Sequence, residues 1–222
     1  MTEPSTTEPD ATEPSKEELL AARAGGIDTD ALRFVGLRGD KARHLSRAAL
    51  TAGIVQLRPP RDAGTVDLLV ARGPEGERRR PAEVVLTAQG GMPGDRWAAQ
   101  DKYGPDYQLA TTRSDLARLI ANGQPLELHG DNLFLHLDLS SENLPTGSRL
   151  QLGEAVVEVT PVPHNGCKKW VQRFGLDPMQ LNLDPAYRSL HLRGIYLRVI
   201  EDGRVRLGDP VVVVERGRPA AR

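Results

Sequence analysis

The chain has 222 residues, 39% of them hydrophobic and 27% charged, with 29 Lys and Arg against 30 Asp and Glu for a formal net charge of −1. That length accommodates one sizeable domain with an appendage, and the charge balance excludes a protein that binds nucleic acid by neutralising many phosphates. A single cysteine excludes an internal disulfide and the paired-cysteine zinc patterns.

The first stretch, residues 1–15, repeats Thr-Glu-Pro at Thr2, Thr7 and Thr12, a composition that buries nothing and predicts an extended, disordered acidic tail. It has no apolar h-region, and no run in the chain approaches the roughly 18 apolar residues of a membrane span, so no membrane is expected as a partner. A reducing cytoplasm is the expected location. Lys16–Ala24 predicts a short helix stopped by Gly25-Gly26, and a second helical stretch is expected from about Asp40 to Ala52. Together they make residues 16–52 a helical extension.

From Gly53 the texture changes to short apolar, β-branched runs: Ile54–Leu57, Val66–Val70 and Ala82–Leu86, punctuated by Pro59-Pro60, Gly64 and the glycines from 73 to 76. Arg78-Arg79-Arg80, the one dense basic run, reads as the solvated end of a hairpin. A glycine-rich loop, Gly90–Trp97, follows. Tyr107–Thr111 returns to strand character, and Thr112 or Ser114 can cap a helix ending near Ala121 with Gly123 at its end. Further strands are expected at Leu126–His129, Ser148–Leu152, Ala155–Thr160, Ile195–Ile200 and Val211–Val214, the last two joined through Glu201–Arg204. Helices fit Lys168–Phe174 and the region from Pro178 to Leu190. Many short strands without regular βα alternation predict a mainly β fold, a barrel over residues 53–216 with flanking short helices, and a flexible end at 217–222.

Chemistry concentrates on Val156–Trp170. A β-branched run exits through Pro161 and Pro163, turns at Asn165-Gly166, and reaches Cys167 just before Lys168 and Lys169. A strand-to-helix corner is where scaffolds present reactive groups, and a helix end with two ammonium groups would complement an anionic sulfur. The competing reading is that a lone cysteine is a small buried hydrophobe. His164 stands three residues before Cys167 and is either a base for the thiol or a hydrogen-bonding turn residue. The five histidines show no zinc-ligand spacing. Asp95-Arg96 offers a carboxylate and a guanidinium suited to phosphate, or else a loop held by its own ion pair; Asp131-Asn132 reads first as a turn.

Taken in order, Gly94-Asp95-Arg96, Gly130-Asp131-Asn132-Leu133, Leu144–Gly147, Cys167-Lys168, Arg193-Gly194 and Gly203–Asp209 resemble the MOSC domain, the C-terminal domain of molybdenum-cofactor sulfurases, over about Gly53 to Glu215. Trp97 stands where that family often has histidine, and Asp131 replaces a longer acid. The resemblance implies a MOSC-like β-barrel in which Cys167 ligates molybdenum or carries persulfide sulfur. It further implies that Asp95, Arg96, Asn132, Lys168 and Arg193 line a cationic pocket for the phosphate of molybdopterin. A soft thiolate suits that metal. By the same resemblance the chain is a reductase of N-hydroxylated small molecules, or a metal-free sulfur carrier, or a binding module without chemistry. Its partners would be a redox donor protein or a cysteine desulfurase, the latter a separate chain that holds the pyridoxal phosphate.

Overall fold

A computed structural model of the chain describes residues 37–100 and 103–218, all within one compact unit. The tail expected at 1–15 and the helix expected at Lys16–Ala24 lie outside the described residues. Eleven strands follow one another: β1 (Ala63–Leu69), β2 (Ala71–Arg72), β3 (Arg78–Arg79), β4 (Glu83–Leu86), β5 (Leu109–Arg113) and β6 (Leu133–His136), then β7 (Arg149–Leu152), β8 (Ala155–Val159), β9 (Ile195–Glu201), β10 (Gly203–Arg206) and β11 (Pro210–Glu215). Seven of them close a barrel in the order β1-β11-β7-β8-β9-β5-β6. Every neighbouring pair is antiparallel except β5 and β6. Closure leaves those seven strands without a free edge, which is how a small all-β protein avoids pairing with its neighbours.

Alternation decides what faces inward. In β8, Ala155, Val157 and Val159 are buried while Val156 and Glu158 are half-buried, and in β9 Ile195, Leu197 and Val199 alternate with Tyr196 and Arg198. The inward set joins Leu69, Leu109, Leu133, Leu135, Leu150 and Leu152 in the core that fills the barrel. Tyr196 is thereby turned to the other face of the sheet, where its ring meets those of Tyr107 and His164.

A second core forms among the helices. Helix Ser114–Ala121 contributes Leu116 and Ile120, helix Arg47–Ile54 contributes Leu50, helix Lys168–Phe174 contributes Trp170, Val171 and Phe174, and helix Leu176–Leu183 contributes Met179 and Leu181. His129 holds this cluster together. It stacks on Phe174 at 4.3 Å between ring centroids, accepts the indole N–H of Trp170 at Nδ1 (3.3 Å) and donates from Nε2 to the Ala117 carbonyl (3.0 Å). Burial pushes its pKa down to about 3, as expected of an imidazole kept neutral.

Several local expectations need correction. Ile54–Leu57 is the end of a helix and a turn, because Ile54 and Leu57 are spaced to pack on the helical core and Leu57 N donates to Ile54 O. Leu126–His129 is a 3-10 turn opened by Pro125 and ended by Gly130 at φ +81, so the alternation of Leu126 and Leu128 did not mark a strand. Glu201–Arg204 does not lead straight into the last barrel strand. It enters β10, which leaves the barrel to pair antiparallel with β4, Gly203 opposite Leu86. The helix after Arg113 has no side-chain cap, since Ser114 Oγ donates to Asp67 instead. Gly217, expected in a flexible end, donates its N–H to Ser148 Oγ.

Candidate functional site

The site forms where the glycine-rich loop, the turn before β6, the corner after β8 and the start of β9 meet. Its frame is Asp95. Both carboxylate oxygens are occupied: Oδ2 accepts from the backbone N and Nε of Arg72 (2.8 Å each) and from Asn132 Nδ2 (2.8 Å), and Oδ1 accepts from Arg72 Nη2 and Trp97 N (2.9 Å each). Asn132 also bridges the backbones of Ala110 and Val70. Burial works against the charges on Asp95 and Arg72. Their mutual bidentate pairing outweighs it, holding the carboxyl below and the guanidinium above their ordinary values. Asp95 therefore pairs with Arg72 and not with its sequence neighbour Arg96.

Arg193 is likewise inside. Its Nη1 donates to both oxygens of the fully buried Asp131 (2.7 and 2.6 Å), and its Nη2 donates to the His129 carbonyl (2.8 Å). Its guanidinium carbon sits 5.5 Å from the centre of the Trp170 ring, and Nε is buried without a partner. His164 approaches the same carboxylate, Nε2 3.6 Å from Asp131 Oδ1, with its Nδ1 buried and unpartnered. Burial, reinforced by Arg193 and Arg72, pushes the His164 pKa well below 6.5.

Around Gly130 Arg72 meets two further guanidiniums. Arg72 Nη1 donates to the Gly130 carbonyl (3.1 Å), and a Cβ added to Gly130 would stand 3.4 Å from Arg173 Nη1 and 3.8 Å from Arg78 Nη2. Arg173 donates to the carbonyls of Leu37 and Leu128, and Arg78 to those of Gly76, Glu77 and Glu127. Neither pairs with a carboxylate among the described residues, and the same holds for the exposed Arg96. Burial together with the charges of Arg173, Arg96 and Arg72 pushes Arg78 down to about 10. The basic run is thus not all solvated hairpin: Arg78 turns back into the cluster. Arg72, Arg78 and Arg173 are the functional candidates that the sequence did not single out.

Cys167 is exposed and starts the helix Lys168–Phe174, its carbonyl accepting from Trp170 N and Val171 N. The same helix carries Trp170, under the Arg193 guanidinium, and Arg173. Lys168 follows Cys167, half-buried. A cleft of about 300 Å³ is lined by Arg72, Arg96, Trp97, Gln100, Tyr103, Tyr107 and Tyr196. Of the predicted residues, Arg96 lines the cleft. Asp95, Asn132 and Arg193 lie behind the surface, where they hold other groups in place. Among the described residues no cluster of three or more His, Cys, Asp and Glu could hold a metal unaided, and no helix is long and apolar enough to cross a membrane.

Fold and site together define a one-cysteine β-barrel with a cationic cleft. A model of the MOSC domain matches residues 93–212, more than half of the chain, and the chain belongs to that family. Among solved structures it is similar to the YuaD protein of Bacillus subtilis, with 20% identity, a TM-score of 0.50, and coverage of 67% of this chain and 94% of that one, a likeness in fold. The YiiM protein of Geobacillus stearothermophilus matches at 21% identity and a TM-score of 0.49, covering 69% of this chain and 76% of its own. The YiiM protein of Escherichia coli matches at 25% identity and a TM-score of 0.47, covering 69% and 71%. No curated protein matches the chain. Arg72 and Arg78 lie before the matched residues.

Proposed function

We propose that the chain binds a molybdenum cofactor through Cys167 and uses it to reduce N-hydroxylated small molecules, with electrons from a separate redox protein. The observation that carries this reading is an exposed thiol at the start of the helix that carries Arg173, a guanidinium that pairs with no carboxylate among the described residues. The residues fit such a cofactor. Thiolate is a soft donor suited to the metal, and the missing side chain of Gly130 leaves a cradle between Arg173 and Arg78 for a phosphate. The cofactor would supply two-electron redox chemistry at the metal. The chain's own residues do the rest: Cys167 offers the ligand, Arg78 and Arg173 take the anionic group, and Arg72, locked by Asp95 and Asn132, fixes the wall of the cleft.

The test is metal and pterin content after expression in a host that makes molybdopterin. Wild-type protein is expected to carry both, and Cys167→Ser to carry about tenfold less molybdenum or lower. Equal metal in the two proteins overturns the reading.

A further inference from the structure

Asparagine is followed by glycine twice in the chain, at Asn122-Gly123 and at Asn165-Gly166. The pair is reactive by itself, because a glycine amide nitrogen has no side chain to shield it from the preceding side-chain carbonyl carbon. The structure treats the two pairs differently. Asn122 closes the helix Ser114–Ala121 in the left-handed region at φ +46, its N–H donating to the Arg118 and Leu119 carbonyls. Its Nδ2 donates to the Arg43 carbonyl (3.0 Å), and its own carbonyl accepts from Arg43 Nη1 (3.3 Å). That side chain must leave Arg43 before it can swing onto the Gly123 nitrogen. Asn165 is exposed at the corner after β8, and its N–H donates to the Pro163 carbonyl (3.1 Å). Among the described residues neither its side-chain amide nor the Gly166 N–H has a hydrogen-bond partner. Packing keeps position 166 a glycine: a Cβ there would stand 2.6 Å from Met179 Cε and 3.1 Å from a ring carbon of Trp170. The methionine end can yield, but the Trp170 ring is only 1% exposed in the helical core. The reactive pair is therefore built into the strand-to-helix corner just before Cys167.

We propose that Asn165 is a site of spontaneous modification, converting through a succinimide to isoaspartate and aspartate and so placing a carboxylate at the corner that presents Cys167. The Gly166 nitrogen loses its proton to hydroxide and attacks Asn165 Cγ. The new N–Cγ bond closes the ring, the Cγ–Nδ2 bond breaks, and ammonia leaves with a proton taken from water. Water then opens the ring at either carbonyl. Breaking the N–Cγ bond gives aspartate, and breaking the original peptide bond gives isoaspartate. The product carries one more negative charge and, as isoaspartate, one more backbone atom. The reaction needs only water, so it stands apart from the cofactor reading.

The test incubates the full-length protein at mildly alkaline pH, natively and in urea, followed by digestion at acid pH and mass mapping of the two peptides. In urea both asparagines are expected to gain about one mass unit at rates within about twofold of each other. In the native protein Asn165 is expected to stay within about threefold of its urea rate, while Asn122 slows by about tenfold or more. Asn165→Gln, at an exposed position, is expected to remove the gain from its own peptide and to leave Asn122 unchanged. The added charge is read with two alkylating reagents on Cys167, anionic iodoacetate and neutral iodoacetamide, whose rate ratio cancels any change in the thiol itself. Asn165→Asp is expected to lower that ratio about twofold at low salt. Equal native rates for the two asparagines, protection of Asn165 by folding of about tenfold, or an unchanged ratio in Asn165→Asp would each overturn the proposal. None of these readouts uses metal content, so either this inference or the cofactor reading can fail while the other stands.

Discussion

Asp95 shows how a residue can be visible in a sequence for the wrong reason. Its loop and its neighbour Arg96 suggest a ligand contact, yet all its hydrogen-bonding capacity goes to Arg72, Asn132 and Trp97. The partner that explains it, Arg72, lies 23 residues upstream on a two-residue strand with no local pattern to mark it. Arg78 and Arg173 escaped for the same reason: their meeting at Gly130 is made by tertiary structure alone. The place of Cys167 at the start of a helix was legible because turn chemistry is a local property. The buried pair predicts a sharp asymmetry. Asp95→Asn keeps the shape but strands a guanidinium whose side chain is only 10% exposed, and it should cost about 3 kcal/mol in urea denaturation. Glu83→Gln, which breaks the exposed ion pair with Arg206, should cost between about 0 and 1 kcal/mol. Equal losses in the two variants would show that Asp95 is not the frame of the site.

At the scale of elements, short apolar runs bounded by Gly and Pro carried the barrel. The strands near 66–70, 148–152, 155–160, 195–200 and 211–214 all appear within a residue or three of where those runs placed them. What the runs could not reveal was pairing: the parallel contact of β5 with β6, and the departure of β10 to join β4. Short apolar runs ending at Leu57 and His129 were ambiguous between strand and helix, and packing on the second core decided them. The entry to β9 rests on one atom that is absent. Gly194 has φ +103, and a Cβ there would overlap the carbonyl oxygen of Thr111, the residue paired with Ile195 across β5 and β9. Gly208 has a similar φ of +83 with open space around it. Gly208→Ala therefore measures the backbone conformation alone, about 1–2 kcal/mol, whereas Gly194→Ala adds a steric clash at the barrel wall and should cost about 2–4 kcal/mol. The check is the urea midpoint of each variant at unchanged m-value. If the two glycines cost the same, the close approach of β5 and β9 is softer than the register implies.

For the molecule as a whole, the formal charge of −1 conceals a strong local imbalance. Arg72 and Arg193 are paired with Asp95 and Asp131, while Arg78, Arg96 and Arg173 pair with no carboxylate among the described residues, and the charges of Arg173, Arg96 and Arg72 add to burial in depressing Arg78 to about 10. A fold that holds like charges together stores unfavourable energy that a bound anion relieves, so stability and ligand binding should pull in opposite directions at these positions. An anion at ten times its Kd adds about 1.4 kcal/mol, which for a domain of this size raises Tm by about 3–6 °C. Phosphate should therefore raise the Tm of the wild-type protein more than chloride at equal ionic strength. Arg78→Met keeps an apolar stem in place of the half-buried side chain and removes one repelling charge. Without added anion its Tm should be no lower than that of the wild type, while the increment from phosphate should fall to about half or less. A variant that loses stability without phosphate yet keeps the full increment would mean that Arg78 is a structural strut, with the cradle at Gly130 recognising anions through Arg173 alone.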